Sequence, residues 1–146
     1  MSRVKIAVMD GKGGGIGRAI VETIKALGRN DLVLYALGTN GQATTRMLSA
    51  GADDGATGEN AICYMCGQVD LIIGPMALLT AHAMLGEITP AMAQAVSHSP
   101  AQKLLLPMQR CGVWVVGMPE LPLKELLAAL PAALERAIRQ LDAHED

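Results

Sequence analysis

The chain has 146 residues, 51% of them apolar, with a formal net charge of −2 and a pI of about 5.9. This is the length of a single domain over residues 1–146, enough to enclose a core, and a mean hydropathy of +0.30 excludes a disordered polymer. No basic cluster offers a nucleic-acid surface, and Met1 to Met9 has no h-region or cleavage site, so a cytoplasmic location is expected.

The first element is the apolar run Val4 to Met9, which predicts a strand. Five glycines follow within seven residues, Gly11, Gly13, Gly14, Gly15 and Gly17, and a helical apolar period starts behind them at Ile16, Ala19, Ile20, Thr23, Ile24 and Leu27. Strand, glycine turn and helix in this order make an anion site. Glycine lets backbone N–H groups approach a ligand closely, and the helix start adds unpaired N–H groups and a positive dipole end. The residues expected to hold a phosphate here are Gly11, Lys12, Gly13, Gly14, Gly15, Ile16 and Gly17.

The spacing Gly11-x-x-x-Gly15-x-Gly17, continued by Arg18-Ala19-Ile20, resembles the nucleotide-binding turn of the short-chain dehydrogenases and reductases over about one turn and one helix. That resemblance implies NAD(P) or another nucleotide. The common G-x-G-x-x-G fingerprint fails at Ile16. The GKGG-type P-loop of the nitrogenase iron-protein class begins with Gly11-Lys12-Gly13-Gly14, but Arg18-Ala19 stands where Lys-Ser/Thr should be, which argues against ATP hydrolysis. The bland alternative is that the glycines only let helix and strand pack closely.

Asp31 to Leu37 is a near-continuous apolar strand, as in a sheet covered on both faces. A dinucleotide site would carry an acid at its end, about twenty residues past the last loop glycine; Gly38-Thr39-Asn40-Gly41 stands there instead. Arg18 and Arg46 could serve a 2′-phosphate, although helix arginines more often form a solvated face. The phrase LYALGTNG resembles the phosphate-binding turn of the methylglyoxal synthase class, and Gly58-Glu59 resembles that class's Gly-Asp catalytic pair. That resemblance implies Glu59 as a base, with Thr39, Asn40 and Gly58 on a phosphate. Helix capping by Thr39 or Asn40 and a first-turn acid at Glu59 are the commoner uses of such residues.

Gln42 to Ala50 reads as a helix stopped by Gly51, Ala52 to Thr57 as a loop with a turn at Asp53-Asp54-Gly55, and Thr57 as the cap of a helix containing Cys63 and Cys66. A redox or metal role is weak, because the cysteines begin inside the helix and lack a second pair; no metal is expected. Val69 to Gly74 is the third strand, ended by Gly74-Pro75, which stand where short-chain dehydrogenases carry an Asn-Asn-Ala-Gly turn. Met76 to Gly86 reads as an Ala/Leu/Met helix containing His82, a candidate acid or base, or else a hydrogen-bonded core histidine. Leu71 to Ile88 is long and apolar, but Gly74, Pro75, His82 and Gly86 mark it as buried protein, not a membrane span. Thr89-Pro90 opens another helix.

Lys103 to Pro107 and Gly112 to Met118 read as strands joined too tightly for a parallel crossover, so the last is expected to run antiparallel. The fold class is then α/β: a three-layer Rossmann-like sandwich of about five strands, mostly parallel, with the first four in the order 2-1-3-4 and right-handed crossovers. Pro122 should open the terminal helix and Pro131 kink it.

Taken whole, the phrases DGKGGGIGRAI, ALGTN, GADDGATGENAI, VDLIIGP, MLGEITPAMAQA and LLLP-x-x-R-C resemble a small uncharacterised family found largely in anaerobic prokaryotes. That resemblance implies no activity, but singles out Asn60, Glu87 and Cys111. Short-chain reductases need a tyrosine with a lysine four residues on, whereas Tyr35 meets Thr39 and Tyr64 meets Gln68. Three readings follow: a nucleotide-binding protein, NAD(P) foremost; a phosphate-substrate lyase or isomerase using Glu59; and a non-catalytic structural or assembly subunit. The partner is a small phosphorylated ligand or nucleotide, and the apolar Ala- and Met-rich surface predicts a homo-oligomer.

Overall fold

The computed structural model describes residues 3–107 and 112–145. Cys111 lies outside them. Strand β1 (Val4–Asp10) alternates its side chains between two cores: Ile6 and Val8 point to one, Ala7 and Met9 to the other, and all four are fully buried. A strand buried on both faces must be apolar, which explains the apolar runs of Ile6 to Met9 in β1, and of β2 (Leu32–Gly38) and β4 (Leu71–Pro75). One core is closed by helices α1 (Gly15–Lys25), α2 (Gly41–Ser49) and α5 (Leu123–Glu145). The other is closed by α3 (Glu59–Met65) and α4 (Pro90–His98).

Strand order is β3-β2-β1-β4-β5 and each pairing is parallel, β3 being Asp54–Thr57 and β5 Gln102–Leu106. The four strands foreseen up to β5 keep the expected order. Two expectations about the sheet are corrected. Gly112 to Met118 is no strand, and among the described residues nothing in the sheet runs antiparallel; β5 pairs with β4, and residues 112–118 hold a bend and a turn. The fifth strand is instead β3, within the stretch expected to be a loop. It sits at the sheet edge, where polar, largely exposed residues are tolerated. Its approach is fixed from both sides: the Asp53 N–H donates to the Leu34 carbonyl at 2.8 Å, and the Leu34 N–H donates to the Asp53 carboxylate at 2.8 Å.

Other boundaries moved for local reasons. The cap of α3 is Gly58, at φ 103°, and not Thr57, whose hydroxyl pairs with that of Thr44 at 2.7 Å. Asn40 caps α2 by accepting the Ala43 N–H, and Thr89 caps α4 by accepting the Met92 N–H. Helix α5 continues through Pro131 without interruption. Among the described residues no helix is long and apolar enough to cross a membrane.

The segment after β4 departs most from expectation. In place of a helix over Met76 to Gly86 there is a 3₁₀ turn, Met76–Leu79, followed by a chain with positive φ at His82 (69°), Met84 (59°), Leu85 (56°) and Gly86 (91°). Such angles cost side-chain-bearing residues about 1–2 kcal/mol each. They persist because the turn is cross-tied: His82 N–H donates to Ile88, Ile88 N–H to Ala83, and Gly86 N–H to His82. His82 is consequently neither helical nor buried.

Candidate functional site

The chain leaves β1 toward β2 on one side and returns to β4 on the other, so the C-terminal ends of β1 and β4 flank the switch point where open α/β sheets form a crevice. A cleft of about 600 Å³ opens there. Asp10 to Ile16 line one wall; Pro75, Ala77, Met84, Leu85 and Leu123 line the other.

The five loop glycines divide into two groups. A Cβ on Gly11 would lie 2.6 Å from the Thr39 hydroxyl and 2.7 Å from the Met84 sulfur; on Gly14, already at φ 74°, it would lie 2.7 Å from the Ala43 Cα; on Gly17, 2.8 Å from the Asp10 Cβ. Packing demands glycine at Gly14 and Gly17, and at Gly11, also buried, the Thr39 and Met84 side chains would have to move. Gly74 belongs with them, since a Cβ there would strike the Met9 carbonyl. At Gly13 and Gly15 the nearest atom to a Cβ is an Arg46 guanidinium nitrogen, at 3.6 and 3.9 Å, and neither φ is left-handed. The fold does not require glycine at either position. Within the described residues their N–H groups also meet no acceptor. Two cations stand beside them. Arg46 donates to the Gly13 carbonyl at 2.7 Å, Lys12 is exposed, and neither forms an ion pair among the described residues.

Two carboxylates organise the loop. Asp10, 3% exposed at the end of β1, accepts the Gly11 N–H at 2.8 Å and the Gly17 N–H at 2.6 Å. It thereby caps α1, whose own cap residue, Gly14, has no side chain to do so. Burial pushes its carboxyl above the ordinary range against the opposing pull of those two N–H groups, and the negative charge of Glu87 adds to the rise. Glu87 reaches in from the turn after β4. Its Oε1 accepts the Thr39 hydroxyl at 2.6 Å, the Asn40 side-chain amide at 2.8 Å and the Lys12 N–H at 2.9 Å. The Thr39 bond foremost holds its carboxyl below the ordinary range. The Asn40 amide also donates to the Lys12 carbonyl at 2.8 Å, so Lys12 is tied at both backbone groups, which maintains its φ of 49°.

Of the predicted site residues, Gly11 to Ile16 and Pro75 line the cleft, and Gly17 is held behind them by Asp10. Thr39 and Asn40 adjoin the loop, but their side-chain donors are occupied by Glu87 where the methylglyoxal synthase resemblance would place a phosphate. Gly58 and Glu59 stand at the far edge beyond β3. Glu59 is exposed and accepts a hydrogen bond from Thr89 at 3.1 Å, and Asn60 is exposed beside it. Glu59, His82 and Glu87 are not among the residues that line the cleft, but Glu87 bonds to Lys12, which does. Cys66 is buried, its thiol pushed up to about 11 by burial; Cys63 donates to the Ala91 carbonyl at 3.6 Å. Among the described residues no group of three or more His, Cys, Asp or Glu is arranged to hold a metal ion.

Sequence reasoning missed Asp10 altogether, and it singled out Glu87 by resemblance without giving it a role. Asp10 had a local signal, an acid ending an apolar strand directly before a glycine run.

The domain-of-unknown-function model DUF3842 matches residues 5–139. The chain belongs to this family. No curated protein matches a DUF3842 chain of this sequence. Among solved structures, a nucleoside-diphosphate-sugar epimerase from Pseudomonas aeruginosa is similar over 95% of this chain and 49% of its own, at 15% identity and a TM-score of 0.46. The DUF3842 chain thus spans about half the length of that protein, and a likeness of this degree bears on neither ligand nor reaction.

Proposed function

We propose that this DUF3842 protein binds a nucleotide, NAD(P) foremost, with a phosphate on the N–H groups of Gly13 and Gly15. The observation that carries the reading is the division of the glycines: packing accounts for Gly11, Gly14 and Gly17, whereas Gly13 and Gly15 combine N–H groups that meet no acceptor among the described residues, room for a Cβ, and the neighbouring cations Lys12 and Arg46. Those are the requirements of an anion cradle. Lys12 and Arg46 supply charge, and Met84, Leu85, Ala77 and Leu123 supply an apolar wall for a ring system. Nothing at Glu59 favours the lyase reading over this one.

Thermal melts with ADP, NAD, NADP and inorganic pyrophosphate test the proposal. A ligand at 100 times its Kd should add about 2.7 kcal/mol of stability, and the response should shrink with salt. Melting unchanged by all four would refute it.

The proposal extends to self-association. Trp114 is 73% and Val116 98% exposed, and β5 is the edge strand of the sheet among the described residues. Sedimentation at micromolar concentration should give a mass at least twice 15.3 kDa; the monomer mass would refute this part.

A further inference from the structure

A dinucleotide site places a carboxylate at the end of the second strand, where it accepts hydrogen bonds from ribose hydroxyls. Here β2 ends in Gly38 and Thr39-Asn40 follow, with no acid. The structure delivers one to that spot from elsewhere in the chain. The end of β2 lies beside the end of β1, in register Asp10 to Gly38, and the Thr39 N–H donates to the Asp10 carbonyl at 3.0 Å. Into this junction the turn after β4 inserts Glu87, 48 residues from Thr39 in sequence.

We infer that Glu87 is the ribose-binding carboxylate of this site and selects nucleotides with a free 2′-hydroxyl over 2′-phosphorylated ones. The inference rests on the nucleotide reading above. Three features carry it. All three donors, from Lys12, Thr39 and Asn40, converge on Oε1, and among the described residues Oε2 accepts nothing, which leaves one oxygen for ligand hydroxyls. The carboxylate borders the phosphate loop: a Cβ on Gly11 would lie 3.2 Å from Oε1. The backbone that carries it holds His82, Met84 and Leu85 at left-handed angles, a strain maintained where a group must be presented in one place. The three donors keep Glu87 ionised at neutral pH, hence a pure acceptor that attracts a hydroxyl and repels a phosphate.

Calorimetric titration of wild type and Glu87→Gln with ADP, 2′-deoxy-ADP, NAD, NADP and inorganic pyrophosphate tests this. Glutamine keeps an oxygen for all three donors, and a melt verifies the fold. Wild type should prefer NAD to NADP and lose at least about tenfold in affinity on deletion of the 2′-hydroxyl. Glu87→Gln should weaken NAD by a similar factor and narrow the NAD to NADP gap. Equal wild-type affinity for ADP and 2′-deoxy-ADP would overturn the assignment, and needs no variant. So would tighter binding of NADP than NAD. If pyrophosphate binds and those contrasts are absent, the phosphate cradle stands and Glu87 falls alone; if pyrophosphate also fails to bind, both fall.

Discussion

Gly14→Ala should unfold at a temperature about 10 °C below wild type, a loss of about 3 kcal/mol, while the bulkier Gly15→Val should melt within about 0.5 kcal/mol of wild type and lose nucleotide binding at least about tenfold. The asymmetry follows from the surroundings of the two positions. At Gly14 a methyl group meets the Ala43 Cα at 2.7 Å, an α2 backbone atom that cannot rotate away, and φ is 74°. Left-handed backbone costs an alanine about 1–2 kcal/mol, and overpacking against a rigid neighbour about 1–3 kcal/mol more. At Gly15 the first neighbour is a guanidinium nitrogen 3.9 Å away on a flexible side chain. The space that valine fills there is the space a phosphate needs to reach the unpaired N–H. Differential scanning fluorimetry separates the stability effects and calorimetry the binding effect. Undiminished binding by Gly15→Val would take the ligand off the loop, and a normal melt for Gly14→Ala would remove the packing explanation of the glycines.

This pair also marks how far the sequence could be read. Strand β1, the glycine turn and α1 were legible because a single local pattern, an apolar run meeting glycines and then a helical period, specifies all three. The pattern does not say which glycines serve packing, since Ala43, Met47 and Met84 come from other elements. Strand β3 was hidden because an edge strand pairs on one side and needs no apolar residues, so Asp-Asp-Gly read as a turn. The reading of Met76 to Gly86 failed by trusting helix propensity. Ala, Leu and Met favour a helix, but the segment must cross the top of the sheet and end with Glu87 between Thr39 and Lys12, and that tertiary demand overrides local preference. The same long-range contact explains why the carboxylate missing after β2 could not be found by counting residues. The strand expected over Gly112 to Met118 was inferred from composition, and a β-forming run becomes a strand only where it pairs, which residues 112–118 do not.

Asp10→Ala should cost about 3 kcal/mol at neutral pH, because the Gly11 and Gly17 N–H groups, buried against the end of β1, each lose an acceptor worth about 1–3 kcal/mol. Asp10→Asn keeps one oxygen, so its loss should be smaller, about 1 kcal/mol. The pH dependence identifies the balance of forces at this carboxylate. Burial raises the folded-state value above the ordinary 3.8, so the fold binds this proton more tightly than the unfolded chain does. The stability linked to that proton is fully present below pH 3.8 and fades as pH rises through the raised value. The gap between wild type and Asp10→Ala in urea denaturation should therefore narrow from acid toward neutral pH. Glu87 has the opposite sign: held below its ordinary 4.5, it stabilises the fold above that pH and ceases to do so as acid protonates it. Comparing wild type with Asp10→Ala at each pH removes the Glu87 contribution except for the repulsion between the two carboxylates, which only wild type carries. A gap that widens with pH would mean that the two glycine N–H groups outweigh burial and that Asp10 acts as a stabilised anion.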